Sequence, residues 1–107
     1  MSENNYSVEW VGWCKDDKSD KVWGYIRLKS GTHYNFWCKR GGTPRFKRHD
    51  DKYTVRELSS SKRDKGYAPQ TGASMEVIWK GFAEALENAF IIAKFSGTIM
   101  TDKEDSM

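Results

Sequence analysis

The sequence predicts an α+β fold, a twisted antiparallel β-sheet with one short helix and one longer amphipathic C-terminal helix. Three observations carry this. The first 38 residues hold three aromatic-rich segments separated by short polar loops, which is how a meander of strands reads. A glycine- and proline-bearing break follows at Gly41, Gly42 and Pro44. Beyond residue 74 the apolar positions recur three and four residues apart, the period of a helix with one buried face.

The elements follow in order. Over residues 6–14, Tyr6, Val8 and Trp10 alternate with polar neighbours, as in a first strand. Lys15 to Asp20 is a charged turn. Residues 21–29 carry Val22, Trp23, Tyr25, Ile26 and Leu28 and form a second strand, where Gly24 marks a bulge or a close backbone approach. Ser30-Gly31 is a turn, and His33 to Cys38 a third strand. Arg40-Gly41-Gly42-Thr43-Pro44 cannot be a regular central strand, and Arg45 to Arg48 is a short edge strand or an extended loop. Residues 51–65 suit a short helix with Val55, Leu58 and Lys62 on one face and Gly66 at the C-cap position. Ala68-Pro69-Gln70-Thr71-Gly72 reads as a linker. The longer helix is expected over about 74–95, capped by Ser74. Its Met75, Ile78, Trp79, Phe82, Leu86, Ala89, Phe90 and Ala93 would pack on the sheet. Residues 101–107 are a polar tail. One domain is expected over 1–107.

Several classes of function find no support. No apolar run approaches the roughly 20 residues that cross a bilayer, and the polar start of the chain has no signal-peptide pattern. A cytoplasmic, intracellular protein is therefore expected. Cys14 and Cys38 are no disulfide framework, and reduced thiols are favoured over one bridge. No metal-ligand spacing is present, and no cofactor is expected. His33 lies in a strand, and His49 beside Asp50 and Asp51 could be a general base but has no partner nucleophile or metal in local sequence. The Arg40-Gly41-Gly42 stretch lacks phosphate-loop spacing. The chain is expected not to be an enzyme.

Charge is informative once it is divided. Residues 39–66 hold ten basic side chains against four acidic ones, while residues 67–107 hold three against six. The net charge of +3 thus conceals a basic middle that can neutralise several phosphates. Within it stands Asn35-Phe36-Trp37-Cys38-Lys39-Arg40-Gly41-Gly42. An aromatic strand delivers Trp37 to its end, and two cations and a glycine turn follow. A flat ring can stack on a base or sugar while Lys39 and Arg40 reach phosphate oxygens.

At this segment the chain resembles the WGR domain, the module named for a Trp-Gly-Arg motif and found in DNA-break-sensing poly(ADP-ribose) polymerases and some bacterial proteins. Trp37-Cys38-Lys39-Arg40-Gly41 stands at the motif, and Lys62-Arg63-Asp64-Lys65-Gly66-Tyr67 looks like the Lys-rich, Gly-Tyr ending of the family's helix. The resemblance covers about residues 6–70. It implies that Trp37 packs on a terminal nucleotide and that Lys39 takes the place of a backbone-contacting arginine. Cys38 and Lys39 depart from the motif's glycine and arginine, and lysine keeps the charge without the fork.

The expectation is a non-catalytic nucleic-acid-binding module, for DNA first, with duplex ends as a target and RNA as the other candidate. Trp37, Lys39 and Arg40 would be central. Arg45, Lys47, Arg48, Lys62, Arg63 and Lys65 would supply phosphate contacts. The competing expectation is a small regulatory or inhibitor protein that binds a larger protein partner.

Overall fold

A strand that is apolar on both sides belongs inside a sheet with both faces covered, and residues 20–28 form such a strand. The computed structural model describes residues 6–49 and 55–101. In chain order it contains β1 (Tyr6–Lys15), β2 (Asp20–Leu28), β3 (His33–Lys39), β4 (Arg45–His49), α1 (Val55–Asp64), β5 (Ala68–Gln70), α2 (Gly72–Ile78), α3 (Phe82–Ser96) and β6 (Met100–Thr101). The sheet order is β5-β1-β2-β3-β4-β6. The first five strands pair antiparallel, and β6 joins β4 in parallel.

The period of two then divides the side chains. One face collects Val11, Val22, Ile26, Phe36 and Phe46 under Met75, Phe82, Leu86 and Phe90 of α2 and α3. The other collects Trp23, Tyr25 and Tyr67, with Trp10, Cys14, Trp37 and Leu58 packed on them, and α1 lies over the β1 side of it. The α+β class is thus as the sequence predicts, with a long amphipathic helix at the C-terminal end.

Four expectations change. The supposed linker is structured: Ala68–Gln70 pairs with Val11–Trp13 of β1, and Pro69 fits there because an edge strand leaves one row of backbone groups unpaired. Thr71, not Ser74, caps the next helix. Its hydroxyl accepts from the Ser74 amide at 3.0 Å, and the Ser74 hydroxyl accepts from the Thr71 amide at 2.9 Å, which is a reciprocal capping box. The expected helix over 74–95 is two helices, so the described residues hold three helices rather than two. The break has a cause: Gly81 takes a left-handed φ of 84°, and the Glu76 carboxylate accepts from the Gly81 and Ala83 amides at 2.9 and 2.7 Å, satisfying donors that open α3. Finally, Thr101 belongs to a strand rather than a tail. Residues 51–54 of the expected short helix and 102–107 of the expected tail lie outside the described residues. Among the described residues no helix is long and apolar enough to cross a membrane.

Gly24 resolves as a close approach, and the bulge lies in β1 instead, between Val8 and Trp10 and opposite Tyr25 and Ile26. A Cβ on Gly24 would stand 2.2 Å from the Phe36 ring and 2.9 Å from the Trp10 carbonyl. Phe36 is fully buried and cannot yield. Gly24→Ala should therefore destabilise the fold by about 1–3 kcal/mol, the usual cost of overpacking. Gly72→Ala, where the new methyl meets nothing within 4 Å, should stay within about 0.5 kcal/mol of the parent. Denaturant midpoints of both variants check this, and equal midpoints would refute the close approach.

Candidate nucleic-acid interface

The β2–β3 pairing builds the site. Its register sets Lys21 opposite Lys39 and Trp23 opposite Trp37. Antiparallel partners share a face, so two ammonium groups and two indoles project to the same side. β4 extends the row, with Lys47 opposite Asn35 and Arg45 opposite Trp37. Like charges placed directly opposite work against the sheet, whereas an opposite-charge pair there would contribute roughly 0.2–1 kcal/mol.

The far wall comes from the end of α1. Gly66 has a φ of 99°. Its amide donates to the Arg63 carbonyl, and the Tyr67 amide donates to the Lys62 carbonyl, both at 3.0 Å. This is the Schellman arrangement, which needs a left-handed glycine just past the helix. It brings Lys62 and Tyr67 together over β2. The Lys62 Nζ sits 5.0 Å from the Trp23 ring centre and 5.6 Å from that of Tyr67. Burial, and then the charges of Lys65 and Lys21, hold the Lys62 ammonium below its usual pKa. The two ring contacts oppose that shift, each worth about 0.5–1 kcal/mol at partly exposed sites.

The result is a cavity of about 530 Å³ lined by Lys21, Lys39, Lys47 and Lys62 around Trp23, Trp37 and Tyr67, with Asn35 at its base. No carboxylate is among its described lining residues. Such a concavity can hold an anion against cations while a ring meets an apolar or aromatic surface. No cluster of three or more metal-ligating side chains occurs among the described residues. Both cysteines are free. Burial pushes the Cys38 thiol up to about 11, which leaves it a poor nucleophile near neutrality.

Four of the residues singled out from sequence meet here: Trp37, Lys39, Lys47 and Lys62. Arg45 is exposed on the same face beside Trp37. Arg63 and Lys65 are exposed at the end of α1, outside the lining. Arg48 pairs with Tyr34, whose ring packs on Phe90, so the alternation turns Arg48 to the opposite face. Arg40 is engaged elsewhere. Its Nε donates to Asp20 Oδ2 at 2.8 Å, its Nη2 lies 2.8 Å from the same oxygen, and its Nη1 donates to the Ile78 carbonyl at 3.0 Å. Arg40 thereby ties the β3–β4 turn to the start of β2 and the end of α2. That turn closes with the Gly42 amide donating to the Lys39 carbonyl at 2.8 Å and with Gly41 at a φ of 83°, so the glycine pair forms a hydrogen-bonded turn. Lys21, Trp23 and Tyr67 line the cavity but are not among the binding residues expected from the sequence. Their spacing held the signal: Lys21 and Trp23 stand two apart, in step with Lys39 and Trp37 on the next strand.

Comparison with protein-family models, with curated proteins and with solved structures finds no match for this chain.

Asp20 offers a test of the Arg40 assignment. The Arg40 hydrogen bond, then one from the Trp13 indole at 2.7 Å, holds its carboxyl below the usual carboxylate range. A folded-state pKa below the unfolded one gives stability that is fully present above the unfolded value. It is lost as pH falls through the folded one. Titration of the Asp20 carboxyl carbon by NMR should give a midpoint below that of a free aspartate, and Arg40→Ala should raise it. An ordinary midpoint in the parent protein would contradict the ion pair.

Proposed function

We propose that the chain is a non-catalytic module that binds nucleic acid, DNA first among the candidates, through the cavity between β2, β3, β4 and the end of α1. One observation carries this reading: four lysines converge on two tryptophans and a tyrosine in one concavity. Lysines held close at a cost in mutual repulsion suit a ligand that brings several negative charges. The neighbouring ring suits bases or sugars, since stacking contributes about 1–3 kcal/mol per base. The WGR resemblance supports the same reading, because Trp37 and Lys39 of the motif segment line the cavity, together with Cys38.

The contributions separate by salt. In fluorescence anisotropy with a labelled oligonucleotide, Trp37→Ala should weaken binding by about 1–3 kcal/mol and leave the salt slope unchanged. Lys21→Ala with Lys39→Ala and Lys62→Ala should flatten the slope of log K against log salt by about 2, from about 0.7 per phosphate on a single strand. Arg40→Ala should change that slope little. Unaltered affinity in both cavity variants, with the fold intact, would end the assignment.

A second reading is favoured by the outer face of α3. There Ile91, Ile92 and Phe95 are 47, 64 and 90 % exposed, opposite the stripe that packs on the sheet. In this reading the chain is a small regulatory or inhibitor protein, and a larger protein partner covers that face. Ile92→Ser combined with Phe95→Ser should then abolish a stoichiometric partner complex recovered from nuclease-treated lysate while oligonucleotide affinity stays the same. A complex that survives the double change would count against it.

A further inference from the structure

The cavity's shape and lining specify its ligand more narrowly, given the nucleic-acid reading on which this inference rests. We infer that the cavity takes one unpaired nucleotide, so that the chain prefers single-stranded nucleic acid to duplex and binds it without regard to base sequence.

The rings come first. Trp23 and Tyr67 are 5 and 9 % exposed, and the Lys62 ammonium stands against both. Trp37 is the half-buried ring of the group, and so the one that can present surface to a base. A base inside a duplex has neighbours on both faces and a partner on its edge. It must be extruded before it can reach a stacking ring, which costs unstacking and unpairing. A single strand offers its bases at far lower cost.

The space agrees. A volume of about 530 Å³ falls in the range of about 300–1,000 Å³ that holds small ligands. That is room for a nucleotide.

The cations decide specificity. Every basic residue in the lining is a lysine, and an ammonium is a point charge without the planar fork that reads guanine edges. Of the forked side chains nearby, Arg40 is committed to Asp20 and Ile78, Arg48 lies on the other face, and Arg45 is exposed beside Trp37 but outside the lining. Asn35, the one amide in the lining, is 6 % exposed and offers little to a base. Lysines on phosphates with one stacking ring give positioning without readout.

The test uses the full chain and labelled oligonucleotides about 12 nucleotides long, within the site sizes of single-strand binders. They are a mixed-sequence single strand, the three homopolymers of thymidine, deoxyadenosine and deoxycytidine, and a blunt duplex, with thymidine monophosphate as competitor. The expected result is that the single strand binds at least about tenfold tighter than the duplex. The homopolymers should agree within about fivefold. Tryptophan emission should fall on binding and fall less in Trp37→Leu, while Lys39→Gln, which leaves every ring in place, should weaken all strands alike. A duplex that binds as tightly as the single strand overturns the inference. So does tenfold discrimination among homopolymers, or a mononucleotide that competes as well as the strand. No binding of any nucleic acid at low salt overturns the nucleic-acid reading itself.

Discussion

The pairing of β2 with β3 in one register is the constraint from which both faces of the sheet follow. It places Gly24 beside Phe36 and Trp23 beside Trp37. On one side the absent Cβ of Gly24 lets the Phe36 ring lie across β2, where it meets Phe46 and Phe82 with ring centres 6.3 and 6.0 Å apart. That contact seats α3. On the other side the same register lines up the indoles and the lysines of the cavity. A slip by one residue would send every side chain to the opposite face. It would set Phe36 against a residue with a side chain and bring the lysines under α3. The interior contact at Gly24 therefore protects the register on which the surface site depends.

The charges near the cavity fall into two groups, and the alternation of β2 separates them. Asp20 and Lys21 are adjacent, so they point opposite ways. Asp20 turns to the side where Arg40 and Trp13 meet it, and the charge of Arg40 is thereby paired. Lys21 turns to the cavity and faces Lys39. A different sorting would have placed the Asp20 carboxylate among the lysines of the cavity. Lys62 then arrives from a helix end, on a turn fixed by Gly66. Its ammonium is held by rings on one side and strained by burial and neighbouring charge on the other.

Much of the fold was legible because its signals are local. Alternation marked β1, β2 and β3, and the stripe from Met75 to Ala93 marked the helical layer. The break at Gly81 was not legible, because Ile78, Trp79, Phe82 and Leu86 keep helical spacing across it. What bends the chain is the Glu76 carboxylate gripping two amides beyond the turn. β5 was hidden by composition. Ala68-Pro69 reads as loop, and only the open edge of β1 makes it a strand. The cavity was half legible. Trp37 and Lys39, singled out by their position near a strand end, line it. Arg40 misled, since nearness in sequence is not nearness of side chains, and its partner Asp20 lies 20 residues away. Lys21, Trp23 and Tyr67 depend on pairing between strands and on a helix cap, which no single segment displays.

The groups of the cavity stand on rigid supports, and this bears on what binding would cost. Trp23 and Trp37 sit within paired strand segments, and Tyr67 is fixed by the cap that ends α1. Their rings need little ordering when a ligand arrives, so most of the stacking energy remains available. The lysines differ. Their stems rise from fixed backbone, and burial together with the charges of Lys65 and Lys21 disfavours the Lys62 ammonium. A phosphate beside Lys62 would offset that cost as well as add its own attraction, so binding there would gain from relief of a penalty the free protein already carries.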